Sequence, residues 1–599
     1  MRLFTSCLWP ARGFVLSILI MSLSILACTI AAPESLLSTA VRSAIETPLT
    51  SRWAPLPSQP GTQVASATIT AQQPAVTLSQ GTDITHLPII LETSTQLDST
   101  PVWIDPGLPN AFRDSLSLPA GFSQVDAAGQ AKIQVRVGDL NPIGHWVYAL
   151  VAPFPTIPDG VSSKTLKNAW QGNNEGPFSG QPILLDESTL LVFSALWGDP
   201  AKNATKVLAT DKILQYAWNH RPTWALVPFE DLEPRWKVLK VGNQSPLFKN
   251  FVSQDYLLTV PFSIEGDPEL IAKITGGNEA TADLTLPLSN RQSDQLTTVA
   301  LTGVTAMVRA TAFTMHRNGI TYPAQDVGEI LREADITHIS NEIPFTPGCP
   351  PPNPTQPGLR FCSDPDYIGL LEEVGTDIVE LTGDHFGDWG PEAMIYTLEM
   401  YEERDWDYYG GGYNREDARQ ARLIEHNGNR LAFIGCNAKG GGYATASETQ
   451  PGAVACDYDW MHQEIKRLTQ KGYQVIVTFQ HFEYYTYTAQ PDQIRDFQGM
   501  AEAGAVIVSG SQAHQPQGME FHENAFIHYG LGNLFFDQYH FCTDNACDDG
   551  FINRHVFYAG RYISTELIPI VFVDYARPRP MTPEESAVLL RTIFAVSGW

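Results

Sequence analysis

From Thr297 onward the chain repeats one pattern, a short apolar run suited to a buried strand followed by a stretch with helical spacing. The runs fall at 298–305, 336–339, 377–381, 430–434, 474–479, 505–508 and 525–529, and the helical stretches at 324–334, 365–374, 391–404, 459–471 and 493–503. Such alternation predicts helices covering a sheet, an α/β arrangement in which polar residues just after the strands gather along one edge. The residues in those places are Glu342, the pair Asp384 and His385, the pair His481 and Glu483, and the pair Gln512 and His514. Carboxylates and imidazoles after four successive strands suit a divalent metal ion, which draws oxygen and nitrogen donors from separate segments.

Five segments carry a family resemblance, in this order: Ser340-Asn341-Glu342; Gly383-Asp384-His385 with Asp388 and Gly390; His481-Phe482-Glu483-Tyr484; Gly510-Ser511-Gln512-Ala513-His514; and Tyr529-Gly530-Leu531-Gly532-Asn533-Leu534-Phe535. Through them the C-terminal half resembles the CapA-type poly-γ-glutamate capsule proteins, and Gly410-Gly411-Gly412-Tyr413-Asn414 adds to the likeness. The resemblance implies a metallophosphatase-like α/β sandwich and a role in the synthesis, export or anchoring of poly-γ-glutamate or a related capsule or envelope polymer. It also implies that Glu342, Asp384, His385 and His514 hold a divalent ion such as Mn, Zn or Mg, with His481 as a further ligand or proton donor and Asn533 beside the substrate. An active protein of this kind is a metal-dependent hydrolase or transferase.

The sequence departs from the family pattern at several of these places. Val304 stands where the first aspartate is expected, Gln512 where the first histidine of a His-Pro-His is expected, and Asp384 in place of an asparagine. His481 lies closer to Glu483 than the pattern's histidine, which leaves Gln480 as the alternative occupant of that position. These changes predict one ion or none, and the competing reading is a non-catalytic protein that binds an envelope polymer or a small ligand. Asp388 is read as the cap of a helix beginning at Pro391. His528 is read as structural, and His385 and His514 suit hydrogen-bonded buried histidines as well as ligands. The aromatic clusters at 406–409 and 484–487 are expected to pack on their own domain rather than to line a polymer groove.

The N-terminus carries Arg2 and Arg12 and an apolar run at 14–27, too short for an ordinary membrane span, so residues 1–27 are expected to be a signal segment. Ile25-Leu26-Ala27-Cys28 resembles a bacterial lipobox, which makes Cys28 a candidate lipid anchor to the membrane; an ordinary signal peptide is the alternative. Residues 28–96 are rich in Ser, Thr, Pro, Gln and Ala and read as a disordered linker. A smaller α/β domain is expected over 97–290, with strands at 133–137, 146–151, 189–193 and 223–227 and helices at 163–170 and 204–218. Its stretches 147–153 and 166–172 resemble periplasmic solute-binding domains, and a second domain is expected over 291–599.

Past Cys28 the chain has six cysteines and no C-x-x-C pair, which favours disulfides over zinc and an extracytoplasmic, cell-surface location. Sequence order suggests Cys349 with Cys362, Cys436 with Cys456 and Cys542 with Cys547. A net charge of −27, from 38 basic and 65 acidic residues, argues against nucleic acid and against basic-patch adhesion to lipid. A polyanionic substrate would need a local positive site, such as a metal ion.

Overall fold

The computed structural model of the protein describes residues 99–599 except 141, 174, 276–287, 440–441, 443, 539–541 and 543–545. The expected leader, Cys28 and the expected linker lie outside the described residues. No helix among the described residues is long and apolar enough to cross a membrane.

Residues 100–266 build a mixed ten-stranded sheet. Two groups of parallel strands, Phe122–Val125, Thr100–Ile104 and Ile133–Val137 at one side and Trp224–Pro228, Ile183–Leu185 and Thr205–Val207 at the other, are joined by the antiparallel strands Thr259–Gly266 and Pro142–Pro153. The strands expected at 133–137, 146–151 and 223–227 and the helix at 163–170 are present. The apolar run at 189–193, expected as a strand, lies inside the helix Glu187–Trp197. Asp186 caps that helix by accepting from the backbone N–H of Thr189 at 2.7 Å, a local bond that overrides the strand preference of the run. The expected helix at 204–218 is divided: Thr205–Val207 pairs with Ile183–Leu185, and the helix itself is Thr210–Asn219.

The C-terminal part is a sandwich of two sheets with helices outside. One sheet runs in the order Asp407–Tyr409, Ile378–Glu380, Ile336–Asn341, Leu296–Leu301, Asp549–Tyr558, Arg561–Phe572 and Pro578–Pro580. The other runs Arg422–His426, Asn429–Asn437, Gln474–Gln480, Ile507–Ser509, Ala525–His528 and Met519–His522. Val299, Leu301 and Ile336 of the first face Leu431, Phe433, Ile476 and Phe526 of the second in one core. The parallel strands are covered on both faces, which is why they read as near-continuous apolar runs rather than alternating ones. All three expected disulfides are present, with Cα–Cα distances of 5.8 Å for Cys349–Cys362, 5.0 Å for Cys436–Cys456 and 5.6 Å for Cys542–Cys547.

The two parts pack directly on each other. Phe154 packs edge-on against Phe521 and Trp599 and at a tilt against Phe526, the Tyr558 hydroxyl donates to the carbonyl of Asn290 at 3.0 Å, and Arg561 donates to the carbonyl of Glu230 at 2.8 Å. The described residues form one compact unit.

Candidate metal centre

The parallel strands of both sheets end at the same edge of the sandwich. Ile336–Asn341 delivers Glu342, Ile378–Glu380 leads to Asp384 and His385, Asn429–Asn437 to Lys439, Gln474–Gln480 to Glu483, and Ile507–Ser509 to Gln512 and His514. The turn holding Asp384 passes so close to Glu342 that a Cβ on Gly383 would lie 2.6 Å from the Glu342 carbonyl oxygen and 2.7 Å from its Cα. Glycine at 383 is what allows the two segments to meet.

Glu342, Asp384 and His385 each offer one donor atom within 4.8 Å of the others. Glu342 is buried and neither of its carboxylate oxygens has a hydrogen-bond partner among the described residues; Asp384 Oδ1 is likewise buried and unpartnered. Burial holds the Glu342 carboxyl above its usual range, as expected of an anion taken from water without compensation. His514 completes the approach, its Nε2 3.9 Å from both Glu342 Oε1 and Glu483 Oε2. Unsatisfied buried oxygens beside imidazoles form a donor set that fits a divalent cation.

Neighbouring side chains orient the imidazoles. His385 Nδ1 lies 2.8 Å from Asp388 Oδ2, and that same oxygen accepts from the backbone N–H of Phe361 at 2.6 Å. Burial works against a charged His385, but the Asp388 bond together with Glu342 and Asp384 outweighs it and raises the imidazole to about 9. Asp388 is therefore not the helix cap expected from the sequence: Gly390 occupies the N-cap of Pro391–Glu402, with no side-chain cap. A histidine three residues upstream offers Asp388 a buried, charge-assisted partner instead. Asn533, which begins the strand Asn533–Phe535, sets His514 through its Oδ1, 2.9 Å from Nδ1. In that bond Asn533 Oδ1 accepts from the Nδ1–H of His514, which leaves Nε2 as the atom facing the carboxylates.

Not every expected residue joins this group. His481 Nε2 lies 3.1 Å from Asp496 on the helix Pro491–Ala503, and the ring packs among Phe479, Phe482 and Phe497. Gln480 is buried with both amide atoms unpartnered among the described residues. Gln512 donates to Ser340 Oγ at 2.7 Å, and its Oε1 has no partner among the described residues. Val304 sits in an apolar cluster with Ala306, Val308, Ile343, Phe361 and Phe536, so no anionic side chain comes from that position. His528 is buried and lies 2.8 Å from the Asn553 amide; burial pushes its imidazole down to about 3, the behaviour of the structural histidine expected from the sequence.

Two further residues lie at the centre: Lys439, which sequence reasoning missed, and Tyr485, whose aromatic cluster was expected only to pack on its own domain. The Lys439 ammonium is 2.5 Å from Asp384 Oδ2 and 2.6 Å from Glu483 Oε1. The Tyr485 hydroxyl donates to Glu483 Oε2 at 2.7 Å and accepts from Gln538 at 2.9 Å. Burial opposes ionisation of Glu483, yet His514, Lys439 and Tyr485 hold it down at about 2. Lys439 was findable by the rule that located the other residues, since it follows a strand as they do; a search confined to carboxylates and imidazoles passes over it.

Residues 298–538 match the family model described as bacterial capsule synthesis protein PGA_cap. The C-terminal region is a PGA_cap domain. Its sandwich is accordingly metallophosphatase-like, as the resemblance to the CapA-type proteins implied. The chain is 25% identical over 301 residues to the capsule biosynthesis protein CapA of Bacillus anthracis, covering 49% of this chain and 72% of that one. It is 25% identical over 182 residues to the PGA biosynthesis protein CapA of Bacillus subtilis, covering 30% of this chain and 48%, less than half, of that one. Among solved structures it is similar to the NAD nucleotidase of Haemophilus influenzae, at 9% identity over 50% of this chain and 56% of that one with a TM-score of 0.29. A likeness to an ABC-type phosphate transport receptor from Vibrio cholerae has 15% identity, 25% and 73% coverage and a TM-score of 0.22. Neither of these structural likenesses informs the chemistry of the site.

Proposed function

We propose that the protein acts at the bacterial cell surface in the synthesis, export or anchoring of poly-γ-glutamate or a related capsule polymer, through a one-ion centre in its PGA_cap domain. The carrying observation is the convergence of Glu342, Asp384 and His385 within 4.8 Å, with both Glu342 oxygens buried and without a hydrogen bond among the described residues. Glu342, Asp384, His385 and His514 would hold the ion, Asp388 and Asn533 orienting the two imidazoles. A divalent ion in such a place supplies Lewis-acid polarisation of a carbonyl or phosphoryl oxygen and lowers the pKa of water. The reaction that follows is hydrolysis or group transfer. His481 is supported as a structural partner of Asp496 more than as a proton donor. The division into domains near residue 290 and a lipid anchor at Cys28 belong to the same reading, in which the linker carries the folded part away from the membrane.

Elemental mass spectrometry of the purified chain tests the centre. A bound Mn, Zn or Mg ion that disappears in Glu342→Gln and His385→Ala supports it and directs screening to phosphoesters and γ-glutamyl amides. No ion in the wild-type protein after reloading overturns it. The apolar surroundings of Val304 and the neutral Gln512 favour a second reading, a non-catalytic polymer-binding protein. Polymer binding that survives both substitutions, with no turnover of either substrate class, would select it.

A further inference from the structure

We propose that the Lys439 ammonium permanently fills the place of a second metal ion, so that the centre pairs one exchangeable dication with one cation carried by the protein. The inference rests on the metal-centre reading above. In two-metal hydrolytic sites a carboxylate commonly bridges two cations about 3.5–4 Å apart. Here Asp384 is divided in that manner: Oδ2 meets the Lys439 ammonium at 2.5 Å, while Oδ1, buried and unpartnered, belongs to the side chain that groups with Glu342 and His385. Glu483 meets the ammonium from the other side with Oε1 at 2.6 Å, while its Oε2 accepts from the Tyr485 hydroxyl at 2.7 Å and lies 3.9 Å from His514 Nε2. The lysine thus stands between two carboxylates that would otherwise be open to a second ion.

Charge supports the substitution. Apart from Asp388, whose carboxylate is bonded to His385, three carboxylates surround the site, Glu342, Asp384 and Glu483; a dication plus an ammonium matches these three, whereas two dications in addition to Lys439 would exceed them. Placement supports it as well. Lys439 lies two residues beyond the strand Asn429–Asn437, at the same sheet edge as the other donors. Its backbone N–H is fixed by Asn437 Oδ1 at 2.9 Å, and Asn437 is in turn bonded to the carbonyl of Thr382, two residues before Asp384. The backbone that presents the ammonium is therefore tied to the segment that presents its acceptor.

The test is a Mn²⁺ titration of the purified full chain, read by elemental mass spectrometry and by electron paramagnetic resonance. The wild-type protein is expected to take up about one Mn²⁺ with the spectrum of an isolated ion, and Lys439→Met to take up about two with the spectrum of a coupled pair. A coupled pair in the wild-type protein overturns the inference and leaves the metal-centre reading standing; no bound ion overturns both. A folded Lys439→Met variant that still binds one ion overturns the claim that lysine fills the second place. If that variant does not fold, Lys439→Gln takes its place with the same two outcomes, two coupled ions supporting the inference and one ion overturning it.

Discussion

Two clusters of the same side-chain types lie a few residues apart along the same strands, and they treat their carboxylates in opposite ways. Inside the sandwich, Glu380 is fully enclosed with both oxygens occupied: Oε1 accepts from Thr382 at 2.7 Å, and Oε2 accepts from Ser511 and lies 3.5 Å from His338 Nε2. His338 continues to the Tyr409 hydroxyl at 2.9 Å, which reaches Thr478 of the facing sheet at 2.9 Å. At the strand ends, Glu342 is as deeply buried, yet among the described residues neither of its oxygens has a hydrogen bond, and its ion-pair neighbour is the His514 imidazole at 3.9 Å. Glu380 is held below the usual carboxylate range, its partners outweighing burial, while burial leaves Glu342 above it. A satisfied buried carboxylate stitches two sheets together; an unsatisfied one in the same fold marks a place prepared for something the chain does not itself supply.

The sharpest way to break this comparison is to neutralise each glutamate in turn in metal-free protein. Glu380→Leu removes the acceptor of Thr382, Ser511 and His338 together, and is expected to cost about 3–5 kcal/mol in denaturant unfolding. Glu342→Gln removes a charge that has no hydrogen bond to lose, and is expected to change stability by about 1 kcal/mol or less, in the stabilising direction. Equal destabilisation by the two would show that Glu342 is structural after all.

Restoring the missing partner should have the converse effect. At a divalent-ion concentration about 100-fold above its dissociation constant the wild-type protein is expected to gain about 2.7 kcal/mol, seen as a rise in Tm. Glu342→Gln should show no such rise, whereas Tyr409→Phe, which touches only the inner network, should keep it. A Tm rise of the same size in Glu342→Gln would place the ion elsewhere.

Much of this was legible in the sequence, for reasons that also explain what was not. The strands carrying the site are enclosed on both faces, so runs such as Ile336–Asn341 and Gln474–Gln480 announce themselves by continuous burial-type composition, and the residues just beyond them follow by position. The run 189–193 has the same composition but is wound into a helix by its Asp186 cap, a distinction that a short apolar stretch does not carry. The long antiparallel pair Asp549–Tyr558 and Arg561–Phe572 went unread because inward polar residues such as Asn553 and His555 interrupt its pattern. Its one local signal is Gly560, which follows Ala559 in the two-residue turn with φ of 78° and 49° respectively. The inner network was invisible because Glu380 and Ser511 are joined only when the two sheets face each other.

A smaller effect separates the residues that orient the imidazoles from those that would bind the ion. Asp388→Asn and Asn533→Ala each leave the donors in place but release one ring, and each is expected to weaken metal affinity by about 10–100-fold rather than abolish binding. Isothermal titration with Mn²⁺ measures this directly. Complete loss in Asp388→Asn would make that carboxylate a ligand, and no change would reduce its bond to His385 to packing.

The smallest difference at neutral pH emerges on acidification. Because the folded pKa of Glu380 is depressed, its contribution to stability is present above the pKa of an unfolded glutamate and is lost as pH falls from there through the folded value. Glu342 has the opposite sign: its folded pKa is raised, so the metal-free fold loses stability as pH rises from the unfolded value through the folded one. In metal-free protein, Glu380→Gln should therefore flatten the acid limb of a stability-against-pH curve, and Glu342→Gln should remove a decline on the rising side. Saturating Mn²⁺ should remove that same decline in the wild-type protein, since the bound cation favours the ionised carboxylate that burial alone disfavours. A decline that persists with metal present would mean that the ion does not reach Glu342.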